Sequence, residues 1–150
     1  MKKELKVAAI KEGTVIDHIP AEHTFKIAEM LRADSLKNVV SVASNLDSKK
    51  IGKKGIIKLG GMRLGDKEAQ KIALLAPNAT LSIIKNYKVV QKKKLELPDE
   101  VIGIVRCFNP NCISNKEVVE RRFAVERKSP PALRCFYCER LMTEDDLKVL

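Results

Sequence analysis

The residues with the clearest chemistry are four cysteines near the C-terminus, which are all the cysteines of the chain. Cys107 and Cys112 form a C-x4-C pair, and Cys135 and Cys138 form a C-x2-C pair 22 residues later. Two such pairs can each turn around one ion and hold it tetrahedrally, the geometry that Zn²⁺ prefers with thiolates. The spacing is typical of zinc knuckles, and it predicts one structural Zn²⁺ site.

Two disulfides, free thiols, a redox pair and a catalytic metal are the alternatives for these cysteines. Disulfides indicate an oxidising compartment, but the N-terminal MKKELKVAAIKEG has no apolar core of signal-peptide length. A redox C-x2-C needs a thioredoxin-like context, which is not visible around Cys135. A catalytic zinc keeps one coordination position open, whereas four thiolates close the shell. We therefore expect a cytoplasmic protein whose zinc stabilises structure.

The net charge of +10 is confined to the N-terminal two thirds of the chain. Residues 1–97 contain 20 Lys/Arg and 10 Asp/Glu, whereas residues 98–150 contain 9 of each. Pro98 interrupts regular structure after a Lys-rich strand end, so we place a boundary there. The sequence predicts a basic domain over residues 1–97 and a neutral zinc-binding domain over residues 98–150. The second is small enough that metal binding should supply much of its stability.

Lysines of the basic domain are concentrated in two segments, residues 49–58 and 85–94. On adjacent strands they could converge on one polyvalent anion such as a nucleoside triphosphate, or line an open track for nucleic-acid phosphates. A solvated surface is a third interpretation. The strands lack the interleaved aromatics of RNA-recognition sheets, which favours a compact anion site. There is no P-loop, so a nucleotide site here is not of the Walker type.

Catalysis is poorly supported by the residue types present. The only histidines are His18 and His23, and no nucleophile stands beside a base in a recognisable motif. We expect His23 to be solvated. His18 follows Asp17 at the end of an apolar strand, where a ligand-binding role and a structural role are equally compatible with the sequence.

The elements that must position these residues follow two patterns. The basic domain shows strand, helix, strand, strand, helix, strand, with extra strands at its ends, which is the ferredoxin-like arrangement of an antiparallel sheet with two helices on one face. Its strands are predicted at residues 5–10, 14–19, 39–46, 55–59, 80–84 and 87–90, and its helices at residues 21–32 and 66–76. Short strands at residues 101–106, 123–127 and 132–134 predict a small antiparallel β domain around the cysteines. The fold class is therefore α+β.

Several segments together resemble the regulatory chain of aspartate carbamoyltransferase, an enzyme of pyrimidine biosynthesis. The resemblance covers almost the whole chain, and its most specific motif is GTVIDHIPA at residues 13–21. It also rests on Asn45-Leu46, IGKKGIIK (51–58), APNAT (76–80), NYKVV (86–90), CFNPNCIS (107–114), FAV (123–125) and CFYCE (135–139). The family implies a non-catalytic allosteric subunit that binds nucleotide effectors, typically CTP as inhibitor and ATP as activator.

The resemblance also implies which residues hold the nucleotide. The base is expected against the backbone around Ala9, Ile10, Tyr87 and Val89, the ribose near Asp17 and Lys58, and the phosphates near His18 and Lys92, with Lys54 close by. Two positions depart from the family pattern, since an acidic residue is expected at Ala8 and an amide at Ser82. Alanine cannot accept a hydrogen bond through its side chain and serine reaches less far than an amide, so the resemblance does not fix effector preference or potency at these positions.

Partners are implied in the same way. The family pattern implies a docking surface for the catalytic chain. It is formed by Asn109 and Asn111 in the first knuckle, which is the loop from Cys107 to Cys112, and by Glu139 and Arg140 after the last cysteine. The basic domain is expected to form a homodimer within a dodecamer of six catalytic and six regulatory chains. A zinc-ribbon nucleic-acid-binding protein is the alternative, but the zinc domain is neutral, so we expect neither nucleic acid nor membrane as partner.

Overall fold

The first part of the chain forms a five-stranded antiparallel sheet, because its β-branched residues alternate between a buried and an open face. The computed structural model describes residues 9–150. The strands are β1 (Gly13–Pro20), β2 (Val40–Ser48), β3 (Gly52–Gly60), β4 (Thr80–Lys85) and β5 (Lys88–Lys94), in the spatial order β2-β3-β1-β4-β5. The first strand lies between the third and the fourth, as in a split β-α-β fold, so the predicted ferredoxin-like class is confirmed.

One face of this sheet is the core of the first compact unit, which comprises Met1–Gly65 and Asn78–Leu95. Ile16 pairs with Ile57 on one side and with Leu81 on the other, and all three side chains are buried. Val15, the preceding residue of β1, points to the opposite face. The alternation therefore assigns one face to packing and leaves the other face open.

The helix α1 (Thr24–Met30) packs on β2 and β3 after a 3-10 turn at Ala21–His23. The 3-10 turn determines which side of α1 faces the sheet. The buried residues on that side are Thr24, Ile27, Ala28 and Leu31. Phe25, an apolar residue of the helix predicted at residues 21–32, is 65% exposed because it lies beside these residues. Arg32, with φ of 52°, turns the chain away after the helix.

The second compact unit comprises Asp66–Pro77 and Glu96–Leu150. It contains the helix α2 (Asp66–Leu75) and the strands β6 (Glu100–Ile102), β7 (Val105–Arg106), β8 (Arg122–Lys128), β9 (Pro131–Cys135), β10 (Leu141–Met142) and β11 (Lys148–Val149). Four strands form a sheet in the order β10-β9-β8-β6, and β11 pairs with β7. Val101, Phe123, Leu133 and Met142 are fully buried. The small antiparallel β domain is therefore confirmed as part of the α+β class.

Several predicted elements differ in detail from the observed ones. The strand predicted at residues 101–106 is interrupted at Gly103, whose φ of +73° turns the chain so that its two halves enter different sheets. Tyr87 belongs to a turn with Asn86, since both have positive φ, and β5 starts one residue later than predicted. The two-residue strands β10 and β11 were not predicted, because they are too short to show periodicity.

Two predictions concern the ends of the first domain. Most of the strand predicted at residues 5–10 lies outside the described residues, and Ala9 and Ile10 are not in a strand. The helix α2 groups with the second compact unit, whereas the boundary near Pro98 stays a prediction. None of the helices among residues 9–150 is long and apolar enough to cross a membrane.

Candidate functional site

A pocket of about 320 Å³ lies on the open face of the five-stranded sheet. A row of opposed residues crosses its floor, because Val15 of β1 pairs with Lys58 of β3 and with Ser82 of β4, which in turn pairs with Lys92 of β5. Directly opposed residues of antiparallel strands share a face. The sheet thus brings lysines from two distant segments to one surface, which we call the basic pocket. It is lined by Ala9, Ile10, Val15, Asp17, Ile56, Lys58, Thr80, Ser82, Ile84, Tyr87, Val89 and Lys92.

The basic pocket changes character along the strands. Near the β4–β5 turn Ile84 pairs with Val89, and Tyr87 lines the same end. Four residues away along β4, Thr80 pairs with Asp17. At about 3.4 Å per residue the two ends are about 14 Å apart. The apolar end suits a planar ring, and the polar end suits an anion if the lysines around it are not already neutralised.

An ion pair and two hydrogen bonds organise the polar end. The Asp17 carboxylate lies 2.9 Å from the Lys54 ammonium and accepts a hydrogen bond of 2.6 Å from the His18 backbone N–H. The His18 Nδ1 lies 2.9 Å from the Thr80 hydroxyl. Burial raises the pKa of Asp17, but Lys54 and the His18 N–H outweigh it and hold the pKa below its ordinary value. The carboxylate is therefore ionised and fixes Lys54 beside the pocket.

His18 reaches this end of the pocket because β1 is irregular there. The register between β1 and β3 shifts between Ile16 and Ile19, and His18 has φ of 59°. An irregularity of this kind redirects a side chain that strict alternation would send to the other face. The pKa of His18 is lowered, first by burial and then by the charges of Lys54, Lys50 and Lys92, whereas Asp17 opposes them. The free imidazole is therefore neutral at neutral pH.

Most of the residues expected to hold a nucleotide meet in this pocket. Eight of the ten line it, namely Ala9, Ile10, Asp17, Lys58, Ser82, Tyr87, Val89 and Lys92. His18 and Lys54 are not part of the lining, but both contact Asp17. Ala8, the other departure from the family pattern, lies outside the described residues. Grouping these residues does not by itself identify a ligand, so their roles stay predictions.

Four further lining residues were not singled out from the sequence: Val15, Ile56, Thr80 and Ile84. The signal that could have found them is the period of two within each strand, since Val15 and Asp17 share a face, as do Thr80, Ser82 and Ile84. A neighbouring depression of about 540 Å³ shares Ala9, Ile10 and Tyr87 with the basic pocket.

The second site is formed by the four cysteine sulfurs, which all lie within 4.8 Å of one another. The Cys107 and Cys138 sulfurs are 3.6 Å apart, and those of Cys112 and Cys135 are 3.7 Å apart. A tetrahedron with Zn–S bonds of about 2.3 Å has S···S edges of about 3.8 Å. None of the four cysteines is in a disulfide. They are positioned to hold one metal ion.

Local hydrogen bonds shape the first knuckle, which follows β7 directly. The Cys112 N–H donates to the Asn109 carbonyl at 3.0 Å, and the Asn111 N–H donates to the Asn109 side-chain oxygen at 3.1 Å. The Asn115 amide donates to the carbonyls of Cys107 and Asn109 at 2.9 and 2.8 Å. Asn115 therefore closes the loop from outside, and it was not predicted because it lies beyond the C-x4-C motif.

The second knuckle begins at the end of β9. The Glu139 N–H donates to the Cys135 carbonyl at 3.0 Å, and Glu139 has φ of 63°, so the chain reverses tightly after Cys138. Burial raises the pKa of Cys138, but hydrogen bonds from the Arg140 N–H and the Asn109 side chain outweigh it and lower the pKa to about 7. In Cys107 burial dominates and raises the pKa to about 12. Cys138 can lose its proton near neutral pH, whereas loss of the proton from the buried Cys107 thiol is favoured by a cation in the centre of the cluster.

The four residues expected to dock the catalytic chain differ in exposure. Asn111, Glu139 and Arg140 are exposed, whereas Asn109 is buried and its side chain is engaged with Asn111 and Cys138. Asn109 can therefore act on a partner only by holding the knuckle in shape. The docking role of the group stays a prediction.

Comparison with known families agrees with this two-part organisation. Residues 5–96 match the model of the aspartate carbamoyltransferase regulatory chain, allosteric domain, and residues 99–148 match the model of the same chain's metal binding domain. The first match contains the basic pocket, and the second contains the cysteine cluster.

Curated relatives match over nearly the whole chain. The aspartate carbamoyltransferase regulatory chain of Pyrococcus abyssi is 53% identical over 146 residues, which is 96% of each chain. Those of Thermococcus kodakarensis and Methanosphaera stadtmanae are 49% and 48% identical over 148 residues, which is 98% of this chain and 97% of theirs. The chain therefore belongs to the family of aspartate carbamoyltransferase regulatory chains.

Proposed function

We propose that the basic pocket binds a nucleoside triphosphate effector and that the chain transmits this binding to an aspartate carbamoyltransferase catalytic chain. The observation that carries the proposal is the division of the pocket into an apolar end at Ile84, Tyr87 and Val89 and a cationic end, where the charges of Lys54 and Lys92 act on the neutral His18. A nucleotide has the same division between base and phosphates. CTP as inhibitor and ATP as activator are the expected effectors, in the control of pyrimidine biosynthesis.

Lysines are the phosphate ligands in this proposal. The pocket contains no glycine-rich loop, so the anion is held by side-chain charges that converge from β3 and β5. Lys58 and Lys92 stand on either side of the Val15–Ser82 pair, and Asp17 is left to accept hydrogen bonds from a ribose hydroxyl. Serine at position 82 leaves more space than an amide would, which bears on base preference.

The cysteine cluster is proposed to hold one Zn²⁺. The sulfur separations of 3.6 and 3.7 Å suit a tetrahedral Zn²⁺ ion, and four thiolates leave no open position for a substrate. The metal would fix the loops that present Asn111, Glu139 and Arg140. We propose that these loops dock on the catalytic chain in an assembly of six catalytic and six regulatory chains, with regulatory chains paired through their N-terminal domains.

Titration calorimetry with a matched pair of variants tests the nucleotide site. Lys92→Ala should weaken CTP and ATP binding about tenfold or more, because a charge-assisted contact contributes about 1.5–3 kcal/mol. Lys93→Ala removes the same charge one residue later, but Lys93 pairs with Leu81, whose side chain is on the buried face. Binding in the Lys93 variant should change less than twofold. Equal binding by wild type and Lys92→Ala would refute the site assignment.

A further inference from the structure

A serine hydroxyl lies against one of the four cysteine sulfurs. Ser114 follows Cys112 by two residues, in the single 3-10 turn Ile113–Asn115. Its Oγ lies 3.0 Å from the Cys112 Sγ. Both residues are only 2% exposed, so bulk water does not compete for the contact. Among residues 9–150, the Cys112 sulfur is the hydrogen-bond partner of this hydroxyl.

The direction of this hydrogen bond follows from the state of the sulfur. A cysteine that ligates a metal ion is a thiolate, which has no hydrogen and can only accept. Serine keeps its O–H, so the Ser114 hydroxyl is the donor whenever the cluster holds a metal. In the metal-free thiol either atom can donate. The bond therefore has one defined direction, and is charge-assisted, only in the metal-bound form.

A donor at this sulfur offsets the main cost of a site made of four thiolates. Four thiolates carry more negative charge than one divalent cation neutralises, and buried charge is costly unless hydrogen bonds disperse it. Three of the sulfurs receive backbone N–H groups: Cys107 from Asn109, Cys135 from Tyr137 and Cys138 from Arg140. Ser114 gives the fourth sulfur, that of Cys112, a side-chain donor, which a substitution can remove.

The same turn supports the first knuckle in a second way that does not involve a sulfur. The side-chain amide of Asn115 donates to the carbonyls of Cys107 and Asn109, and its oxygen accepts from the Arg106 Nε at 3.3 Å. Asn115 therefore acts on the backbone of the loop, whereas Ser114 acts on a ligand atom. Substitution of each residue can separate the two effects.

We propose that Ser114 is a positioning residue of the metal site, whose hydroxyl donates a hydrogen bond to the metal-bound Cys112 thiolate and so increases metal affinity. The inference rests on the proposed metal function and deepens it. The O–H dipole stabilises the thiolate charge, and the bond holds the sulfur beside that of Cys135, 3.7 Å away. Because the first knuckle also presents Asn111, a residue that helps to retain the metal also helps to retain the proposed docking surface.

Cobalt substitution in the full-length chain tests the hydrogen bond directly. Thiolate-bound Co²⁺ absorbs light by transfer of charge from sulfur to metal, and a donor at the sulfur raises the transition energy because it stabilises the sulfur electrons. Ser114→Ala should shift this band to lower energy at saturating Co²⁺. It should also weaken Zn²⁺ binding about tenfold or more in competition with a chelator, as loss of an outer-shell partner usually does. Ser114→Thr keeps the hydroxyl and should restore both properties.

Two variants of the same unit serve as controls. Asn115→Ala should lower Zn²⁺ affinity through the loop but leave the band energy unchanged, since it removes no contact to a sulfur. Ser129→Ala removes a hydroxyl from the exposed turn after β8 and should change neither property. Thermal unfolding in the presence of metal checks that each variant is folded.

The outcomes separate the two proposals. If the wild type binds neither Co²⁺ nor Zn²⁺, the proposed metal site fails and the inference fails with it. If the wild type binds both ions but the band of Ser114→Ala is unchanged, the hydroxyl does not act on the sulfur, and only the inference is overturned, whatever the change in affinity. A band shift in Ser114→Ala and in neither control, together with weaker Zn²⁺ binding, supports it.

Discussion

His18 shows how neighbouring charges set the state of one residue. Its backbone N–H bonds the Asp17 carboxylate, its ring contacts Thr80, and three lysines disfavour the imidazolium. Burial is the largest cause of the lowered pKa, and Asp17 only partly opposes it. The free site is therefore short of negative charge. A bound polyphosphate would supply that charge and raise the pKa of the ring.

The pH dependence of nucleotide affinity follows from this shift. If the pKa of His18 is higher in the complex than in the free chain, binding takes up protons, and affinity increases as the pH falls. We expect ATP to bind more tightly at about pH 6 than at about pH 8, with the gain fully developed only below the free pKa. Calorimetry in two buffers of different ionisation enthalpy measures the proton uptake.

The control for this prediction is His18→Gln, whose amide can still bond Thr80 but cannot titrate. Its pH dependence should be smaller and reflect the titration of the phosphate alone. A wild-type affinity that is higher at about pH 8 would contradict the prediction, as would identical proton uptake by wild type and variant.

At the scale of elements, α1 can contact β3 closely because residue 55 of β3 is a glycine and has no side chain. A Cβ at Gly55 would lie 1.8 Å from the Thr24 hydroxyl oxygen and 2.6 Å from the Thr24 Cβ. The Thr24 hydroxyl donates to the Ala21 carbonyl and accepts from Ser44, so it cannot move aside cheaply. The helix start is therefore fixed against the strand, directly after the part of β1 that carries His18.

Gly55→Ala should destabilise the first unit through this contact. Overpacking of a buried contact costs about 1–3 kcal/mol, because backbone and neighbours must shift. The expected result is a lower midpoint of thermal and urea unfolding. The double variant Gly55→Ala/Thr24→Gly should lose less stability than the sum of the two single losses, since it removes the clashing atoms. An unchanged midpoint for Gly55→Ala would show that the contact is looser than described.

Strand alternation explains why so much of the first unit could be predicted. Short runs of apolar and β-branched residues define β1 and β4, and the period of two within each strand assigns their core and open faces. The alternation of side chains could not predict three features: the irregularity at His18, the 3-10 turn before α1 and the positive φ of Tyr87. Each is a departure from a regular repeat, and its energy is offset by tertiary contacts rather than by local propensity.

On the scale of the whole chain, the two sites belong to separate units. All lining residues of the basic pocket lie in the first unit, and all four cysteines lie in the second. Each match to a family domain covers one of these sites, and the prediction of a regulatory rather than catalytic chain is confirmed by that family. One site can therefore be lost while the other is retained.

Metal removal should separate the two functions. Zinc contributes about 10 kcal/mol or more to small zinc domains, comparable with the entire stability of a typical domain of about 5–15 kcal/mol. Chelation of the full-length chain should unfold the region around the cysteines and abolish association with the catalytic chain, while ATP binding persists. NMR amide spectra, sedimentation with catalytic chains and calorimetry measure the three effects.

Adding Zn²⁺ back should restore association in the same sample, which controls for irreversible damage. Association that persists after complete metal removal would contradict the docking proposal. Loss of ATP binding on chelation would instead show that the first unit needs the second in order to fold.

The sequence by itself determined the features that depend on local spacing. The two cysteine pairs, the charge of residues 1–97 and the order of strands and helices are all readable within short windows, because turns, alternation and metal ligation act over a few residues. The tertiary structure alone decided how Lys58, Ser82 and Lys92 form one row and how the irregularity of β1 places His18 beside Thr80. Strand register and its local shifts are set by packing between distant segments, which no local pattern contains.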